Sequence, residues 1–269
     1  MLKWKRIADD FISISVGKEY DNEPYYWTTF YYYRGLIIDT GCPHTAEEAT
    51  KFFEDANLKV EAVLLTHFHE DHSGGAYMFK EKFDVDIFAP KKSLERLLNP
   101  QEVPAYRQIV WGQPKPVKAV PLQREMEFSN VNIRTIETPG HSFDHVTFST
   151  NNILFIGDVV ANPNPIIIMR EEDYISLINS LKNIVNLNFE VAYGGHGVWS
   201  KKEVANTLNN ILRLKEAVES LWKQGLNVDQ IVEKVFPKTP SKVLLMEEMS
   251  EGEWSRRNLV ESLLGMRHF

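Results

Sequence analysis

Apolar and polar positions first follow a two-residue period. Residues 11–16, FISISV, alternate, and residues 27–33, WTTFYYY, are aromatic and β-branched, so both predict strands. LIID at 36–39 resumes after a turn-like Arg34-Gly35 pair, which predicts a hairpin-rich beginning. The period then lengthens. In residues 45–57, TAEEATKFFEDAN, Ala49, Phe52, Phe53 and Ala56 share one helical face, and Thr45 with Glu48 predicts a capping box. VEAVLL at 60–65 predicts a short strand that delivers the chain to Thr66, and Gly74 and Gly75 open a helix over AYMFKEKF at 76–83.

A second round of the same kind follows. VNIRTIE (131–137), HVTFST (145–150) and ILFIG (153–157) predict strands, 173–187 a helix, and FEVAYGG (189–195) a further strand. Two similar halves are thus suggested. Between them, residues 99–121 hold Pro100, Pro104, Pro114, Pro116 and Pro121, which predicts a surface excursion with one short helix around Ala105 to Trp111. Beyond residue 199 the pattern is helical alone. Ser200 and Glu203 predict a capping box, and Val204, Leu208, Ile211, Leu212, Val218 and Leu221 form a long apolar stripe. VDQIVEKVF (228–236) predicts a helix stopped by Pro237, and a last helix is predicted around Trp254, Leu259, Val260, Leu263 and Leu264. The expected layout is an α/β domain over 1–199 with a helical C-terminal extension, 200–269, packed on or beside it.

Composition narrows the classes of function. With 37 acidic against 30 basic residues, the net charge of −7 argues against a protein that coats nucleic acid or anionic membrane. From 201 onward the balance is 11 basic to 10 acidic, so the tail carries no basic stripe. A single cysteine, Cys42, permits no internal disulfide and fits a reducing compartment. MLKWKRIADD has charges where a signal peptide needs an apolar stretch, and no segment approaches the length of a membrane span. A cytoplasmic protein with neither membrane nor nucleic-acid partner is expected, one whose amphipathic tail offers a second copy of the chain a face for a homodimer.

The chemistry is concentrated in THFHEDHSGG, residues 66–75, where three histidines and two acids fall within HFHEDH. Neutral imidazoles and carboxylates are ligands for a divalent metal such as zinc, at roughly 2.0–2.2 Å. His67, His69, Asp71 and His72 on one turn exceed what a single centre with an open position needs, so two metals are expected. Three later segments offer the remaining ligands, each where a strand-like run ends: His141 in TPGHSFDH, Asp158 in LFIGDVV and His196 among the glycines of AYGGHGVW. A carboxylate closing an apolar strand is costly unless it is paired or metal-bound.

This ordered set resembles the metallo-β-lactamase-fold hydrolases, over residues 11 to about 199. The resemblance implies an αββα sandwich of two mixed β-sheets flanked by helices, with the C-terminal helices appended. It also implies that His67, His69 and His141 hold a first metal and Asp71, His72 and His196 a second, with Asp158 bridging. Asp39, in IIDTG, would support the histidine turn. The expected activity is that of a dinuclear hydrolase, Zn2+ first with iron or manganese as alternatives. It would activate a shared water to cleave an ester-type bond in a small molecule, with Asp71 and Asp158 as the catalytic carboxylates.

Departures from subfamily patterns then sort the substrates. Zinc β-lactamases of the main subclass carry a cysteine where this chain has Asp158, and flavo-diiron proteins an acid at His69. Acyl-homoserine lactonases have a tyrosine at the position of Ala161, and VVANPNPII does not match the glyoxalase II stretch after its bridging acid. The excursion is too short for the nuclease insertions. The GHSFDH box and helical tail are closest to the broad group holding glyoxalase II-like proteins, small thioesterases and small endoribonucleases. A second reading has a single iron on positions matching His67, His141 and Asp158, as in the persulfide dioxygenases.

Other residues take plainer readings. His145 is expected to support a ligand through a hydrogen bond, and His44 and His268 to be solvated bystanders. Cys42 is expected to be a small buried side chain, and Tyr31 to Tyr33 to alternate between core and surface. Tyr25, Tyr26 and Trp27 are candidates for a substrate mouth.

Overall fold

Successive side chains of one strand point to opposite faces, and here both faces are buried. In the computed structural model, which describes residues 1–24, 26–129 and 131–266, Phe30 and Tyr32 of strand Thr28–Tyr33 enter one core while Tyr31 and Tyr33 enter another. The same division separates Ile37 from Leu36 and Ile38, and Val63 from Ala62 and Leu64. The expected core-and-surface alternation of the tyrosines is therefore corrected: all three are buried, because this sheet is covered on both sides.

That sheet has seven strands in the order Leu2–Ala8, Phe11–Val16, Thr28–Tyr33, Leu36–Ile38, Ala62–Leu64, Asp86–Ala89 and Val120–Pro121. The first four pair antiparallel and the rest parallel. Arg34 and Gly35 join their hairpin with φ of 52° and 93°, the left-handed pair that a two-residue turn between twisted strands requires. One face packs Ile12, Phe30 and Val63 against Ala49 and Phe53 of helix Ala46–Asp55 and Ala76 and Phe79 of helix Ala76–Phe83. The other face packs Phe11, Tyr31 and Leu64 against Ile133, Phe148 and Phe155. Those belong to a second mixed sheet of six strands, Glu125–Phe128, Val131–Glu137, Val146–Thr150, Ile153–Gly157, Val191–Gly194 and Gly197–Ser200. Two large mixed sheets flanked by helices are thus the observed architecture.

The predicted capping box at Thr45 does not form. Pro43–Thr45 is a 3-10 turn, and the Thr45 hydroxyl donates to the Cys42 carbonyl at 3.2 Å instead of capping the helix. Strand Leu2–Ala8 lies outside the expectations. As an edge strand with six of its seven residues exposed, it has no buried side to show a period.

Contacts divide the chain into two units. One comprises 1–137, 144–158 and 189–198, and holds nearly all of both sheets. The other comprises 138–143, 159–188 and 199–269, so the C-terminal helices group with the helix Tyr174–Val185. In this second unit the Ser200–Glu203 capping box forms and starts a helix, Lys201–Lys223. Ser262 ties the last helix, Arg256–Leu263, to Tyr174: its hydroxyl accepts from the Tyr174 N–H at 2.7 Å and donates to the Glu172 carbonyl at 3.0 Å. Trp254, expected on that helix, instead pairs in a short strand with Met169, because Ser255 caps the helix and the extended chain before it meets Ile168–Met169. Among the described residues no helix is long and apolar enough to cross a membrane.

Candidate metal centre

Four loops of the first unit begin where its strands end. Asp39 follows Leu36–Ile38, Thr66 and His67 follow Ala62–Leu64, Asp158 follows Ile153–Gly157, and His196 follows Val191–Gly194. Parallel pairing of Leu36–Ile38 with Ala62–Leu64 puts the first two exits side by side, and pairing of Ile153–Gly157 with Val191–Gly194 does the same for the second two. Asp39 bends out of its strand at φ +63°, a conformation short polar side chains tolerate.

Hydrogen bonds fix which nitrogen of each ring faces inward. Asp39 Oδ1 accepts from the Thr66 N–H at 2.7 Å, and Oδ2 accepts from the Thr66 hydroxyl at 2.8 Å and lies 2.8 Å from His72 Nδ1. With the Thr66 hydrogen committed to Asp39, the His67 Nδ1–H donates to the Thr66 oxygen at 3.0 Å. His196 Nδ1–H donates to the Trp27 carbonyl at 3.2 Å. In His72 and His196 an acceptor at Nδ1 turns Nε2 toward the carboxylates of Asp71 and Asp158, and in His67 the Thr66 oxygen at Nδ1 turns Nε2 toward His69 Nδ1. His145 differs: its Nε2 accepts the Asp158 N–H at 3.0 Å, so that lone pair supports the Asp158 backbone.

Asp71, His72, Asp158 and His196 each present a ligand atom, all within 4.8 Å of one another. His72 Nε2 is 3.2 Å from Asp158 Oδ1 and 3.7 Å from Asp71 Oδ2, yet makes no hydrogen bond of acceptable geometry. His196 Nε2 lies 3.0 Å from Asp158 Oδ2. Burial disfavours charge on His72, but Asp158, Asp71 and Asp39 outweigh it and hold the imidazole well above its ordinary pKa. His196 is raised in the same way, burial being overcome by Asp158 and Asp71. Burial alone would raise Asp158, whereas His196 and His72 hold it well below the carboxylate range. The cluster thus favours positive charge at its centre. Gly195 leaves the room: a Cβ there would fall 2.5 Å from both Asp158 Oδ1 and His72 Cε1. An inward-facing, unbonded imidazole nitrogen, carboxylates and a cleared space are a donor set that fits a divalent metal.

The other candidates are placed as follows. His69 precedes the short helix Glu70–Ser73, and its Nδ1 is 3.0 Å from His67 Nε2. His141 is buried in the Thr138–Phe143 loop of the second unit, with Nδ1 3.5 Å from Glu172 Oε2. That loop also contributes Pro139, Gly140, Ser142 and Phe143 to a cavity of about 240 Å³ completed by Glu171, Asp173 and Ser176. The ring of Tyr26 meets His196 edge-on at 4.8 Å and Trp111 at 5.9 Å. Trp27 contributes its carbonyl, and its ring lies under the Lys3 ammonium. His44 is exposed, as expected, and its Nε2 lies 2.7 Å from the Gln108 carbonyl. Cys42 is buried, which pushes its thiol pKa up. Tyr25 and His268 lie outside the described residues.

Sequence reasoning missed Thr66, Thr28, Glu172 and the Glu70–Arg107 pair. Thr66 adjoins His67 and was the most findable. Thr28 donates to Asp71 Oδ2 at 3.0 Å from 43 residues away, and nothing local marks it.

A family profile described as the metallo-beta-lactamase superfamily matches residues 33–196. The thioesterase pkgB of Emericella nidulans is 30% identical over 166 residues, covering 60% of this chain and 42% of pkgB. The chain thus spans less than half the length of that relative. A beta-lactamase-like protein 2 homolog of Drosophila melanogaster is 25% identical over 228 residues, covering 78% of this chain and 73% of its own. Among solved structures, a metallo-beta-lactamase family protein from Thermus thermophilus superposes with a TM-score of 0.67 at 18% identity, over 96% of this chain and 92% of that one. At that identity the likeness speaks for the fold.

Proposed function

Because the chain belongs to the metallo-beta-lactamase superfamily, we propose that it is a dinuclear metal-dependent hydrolase that cleaves an ester-type bond, a thioester, lactone or phosphodiester, in a small molecule. The observation that carries this reading is the convergence of ligand atoms from Asp71, His72, Asp158 and His196 to within 4.8 Å of one another, with Nδ1 of His72 and of His196 each held from behind. In this reading Asp71, His72, Asp158 and His196 would hold one divalent ion, and His67 and His69, with His141 as the family pattern implies, would hold the other. Zinc suits a donor set of imidazoles and carboxylates. Such ions supply Lewis acidity and a water that ionises near neutral pH.

This chain's residues supply the rest. Thr28 holds the Asp71 carboxylate by its Oδ2, which fixes that side chain beside His72 and His196, where it would orient an attacking water. Asp39 and Thr66 fix His72 and His67 against rotation, so the inward nitrogens need no reorganisation. The name of the thioesterase relative supports the thioester branch of the substrate class. A buried, high-pKa Cys42 fits a reducing cytoplasm as the place of action.

The test is metal analysis of protein purified without added metal, paired with a panel of thioesters, lactones, phosphodiesters and short RNA. About two zinc ions per chain and chelator-sensitive hydrolysis are expected. About one iron per chain, with no hydrolysis, would overturn the reading in favour of oxygen chemistry on the same scaffold.

A further inference from the structure

Glu70 stands between two of the proposed ligands, His69 and Asp71, and is as deeply buried as they are. A carboxylate withdrawn from water in that turn is costly unless its charge is met. Arg107 meets it. The guanidinium donates from Nε to Glu70 Oε1 at 2.5 Å and from Nη2 to Oε2 at 2.8 Å, fork to fork, with both side chains nine-tenths or more buried.

Arg107 comes from the helix Ala105–Val110 in the proline-rich segment, which contributes no proposed ligand. That helix reaches the ligand cluster twice. Beyond its last turn, Trp111 packs on Tyr26, and Tyr26 packs edge-on to His196. Its end is also tied down, the Trp111 carbonyl accepting the His44 N–H at 3.1 Å. One short helix therefore grips the turn carrying His69 and Asp71 directly and reaches His196 through Tyr26. A buried ion pair adds little net stability as a rule, and in some proteins its role is to fix an arrangement. A metal site needs that fixing, since its ligands must wait at set positions.

We propose that Arg107 is a positioning residue for the metal centre: presented by the helix Ala105–Val110, it locks the His69–Asp71 turn through Glu70. The inference rests on the metal-dependent reading above. The test compares Arg107→Lys, which keeps the charge but not the fork, and Arg107→Met with the unaltered full chain. Zinc affinity is read by chelator competition, and the unfolding temperature is read on metal-free protein. Arg107→Lys is expected to bind zinc about tenfold to a hundredfold more weakly while the metal-free unfolding temperature stays near that of the unaltered chain. Should Arg107→Met fail to fold, Arg107→Lys decides. Unchanged zinc affinity in Arg107→Lys overturns the proposal, as does a loss of affinity matched by an equal loss of metal-free stability. Unaltered protein that takes up no zinc would instead sink the metal reading, and this inference with it.

Discussion

Asp39 Oδ2 lies 2.8 Å from His72 Nδ1 while the same carboxylate receives both the backbone N–H and the hydroxyl of Thr66, so one acid ties together both ends of the histidine turn. Asp39→Ala removes all of these acceptors. The His72 ring is then free to turn and Thr66 no longer presents a fixed oxygen to His67. We expect zinc affinity to fall about tenfold to a hundredfold, measured by competition with a chromogenic chelator. An affinity within threefold of the unaltered protein would show that Asp39 does not hold the rings.

Gly195 can be tested by addition. Its missing side chain leaves the space between Asp158 Oδ1 and His72, where a Cβ would sit at 2.5 Å from each residue. Both neighbours are buried and held from behind, His72 by Asp39 and the Asp158 backbone by His145. Gly195→Ala is therefore expected to keep its circular-dichroism spectrum but to lose about tenfold or more in metal affinity.

The candidate ligands are legible because each carries its own local mark: a dense histidine turn, or a polar residue closing an apolar strand. Asp71, His72, Asp158 and His196 do converge. Their supports were not legible, since Thr28 and Arg107 reach the turn from 43 and 37 residues away, and such meetings depend on the completed fold. The same holds for the scaffold. Strands with alternating burial and the helix Ala76–Phe83 showed their periods, whereas strand Leu2–Ala8 has almost no buried residues to show one. The helix Ser241–Met249 was missed for a related reason: it buries none of its residues, and Val243 to Met246 form a run with no helical stripe.

Metal-free protein should respond to pH in two opposite ways. His72 and His196 are raised above 6.5 in the fold, so their contribution to stability is complete below 6.5 and is lost as pH climbs through the raised values. Asp158 is lowered below 3.8, so its contribution is present above 3.8 and is lost as pH falls toward the lowered value. Chelator-treated protein should therefore gain most from this cluster between 3.8 and 6.5, and its unfolding temperature should decline from 6.5 upward. Zinc competes with the same protons, so its affinity should rise over that upper range. A metal-free unfolding temperature that climbs steadily above 6.5 would contradict the arrangement.

His69→Ala separates the two proposed ligand sets. His69 belongs with His67, while Asp71, His72, Asp158 and His196 form their own group. The substitution is expected to reduce bound zinc from about two toward one per chain, measured by elemental analysis, and hydrolysis to background. Full activity in His69→Ala, or activity that survives chelation, would rule out the two-ion mechanism.

Tyr26 gives a prediction about substrate rather than metal. Its ring is 36% exposed yet packs on both His196 and Trp111, so one part faces solvent beside a proposed ligand. His196 does not depend on it for orientation, because the Trp27 carbonyl already holds its Nδ1. Tyr26→Ala should therefore leave zinc affinity within about threefold. An aromatic contact of this kind is worth about 0.5–1.5 kcal/mol, so its loss to a bound substrate should raise KM by up to about tenfold with kcat little changed. A variant that instead loses zinc while KM stays fixed would make Tyr26 a buttress of His196 and remove it from the substrate mouth.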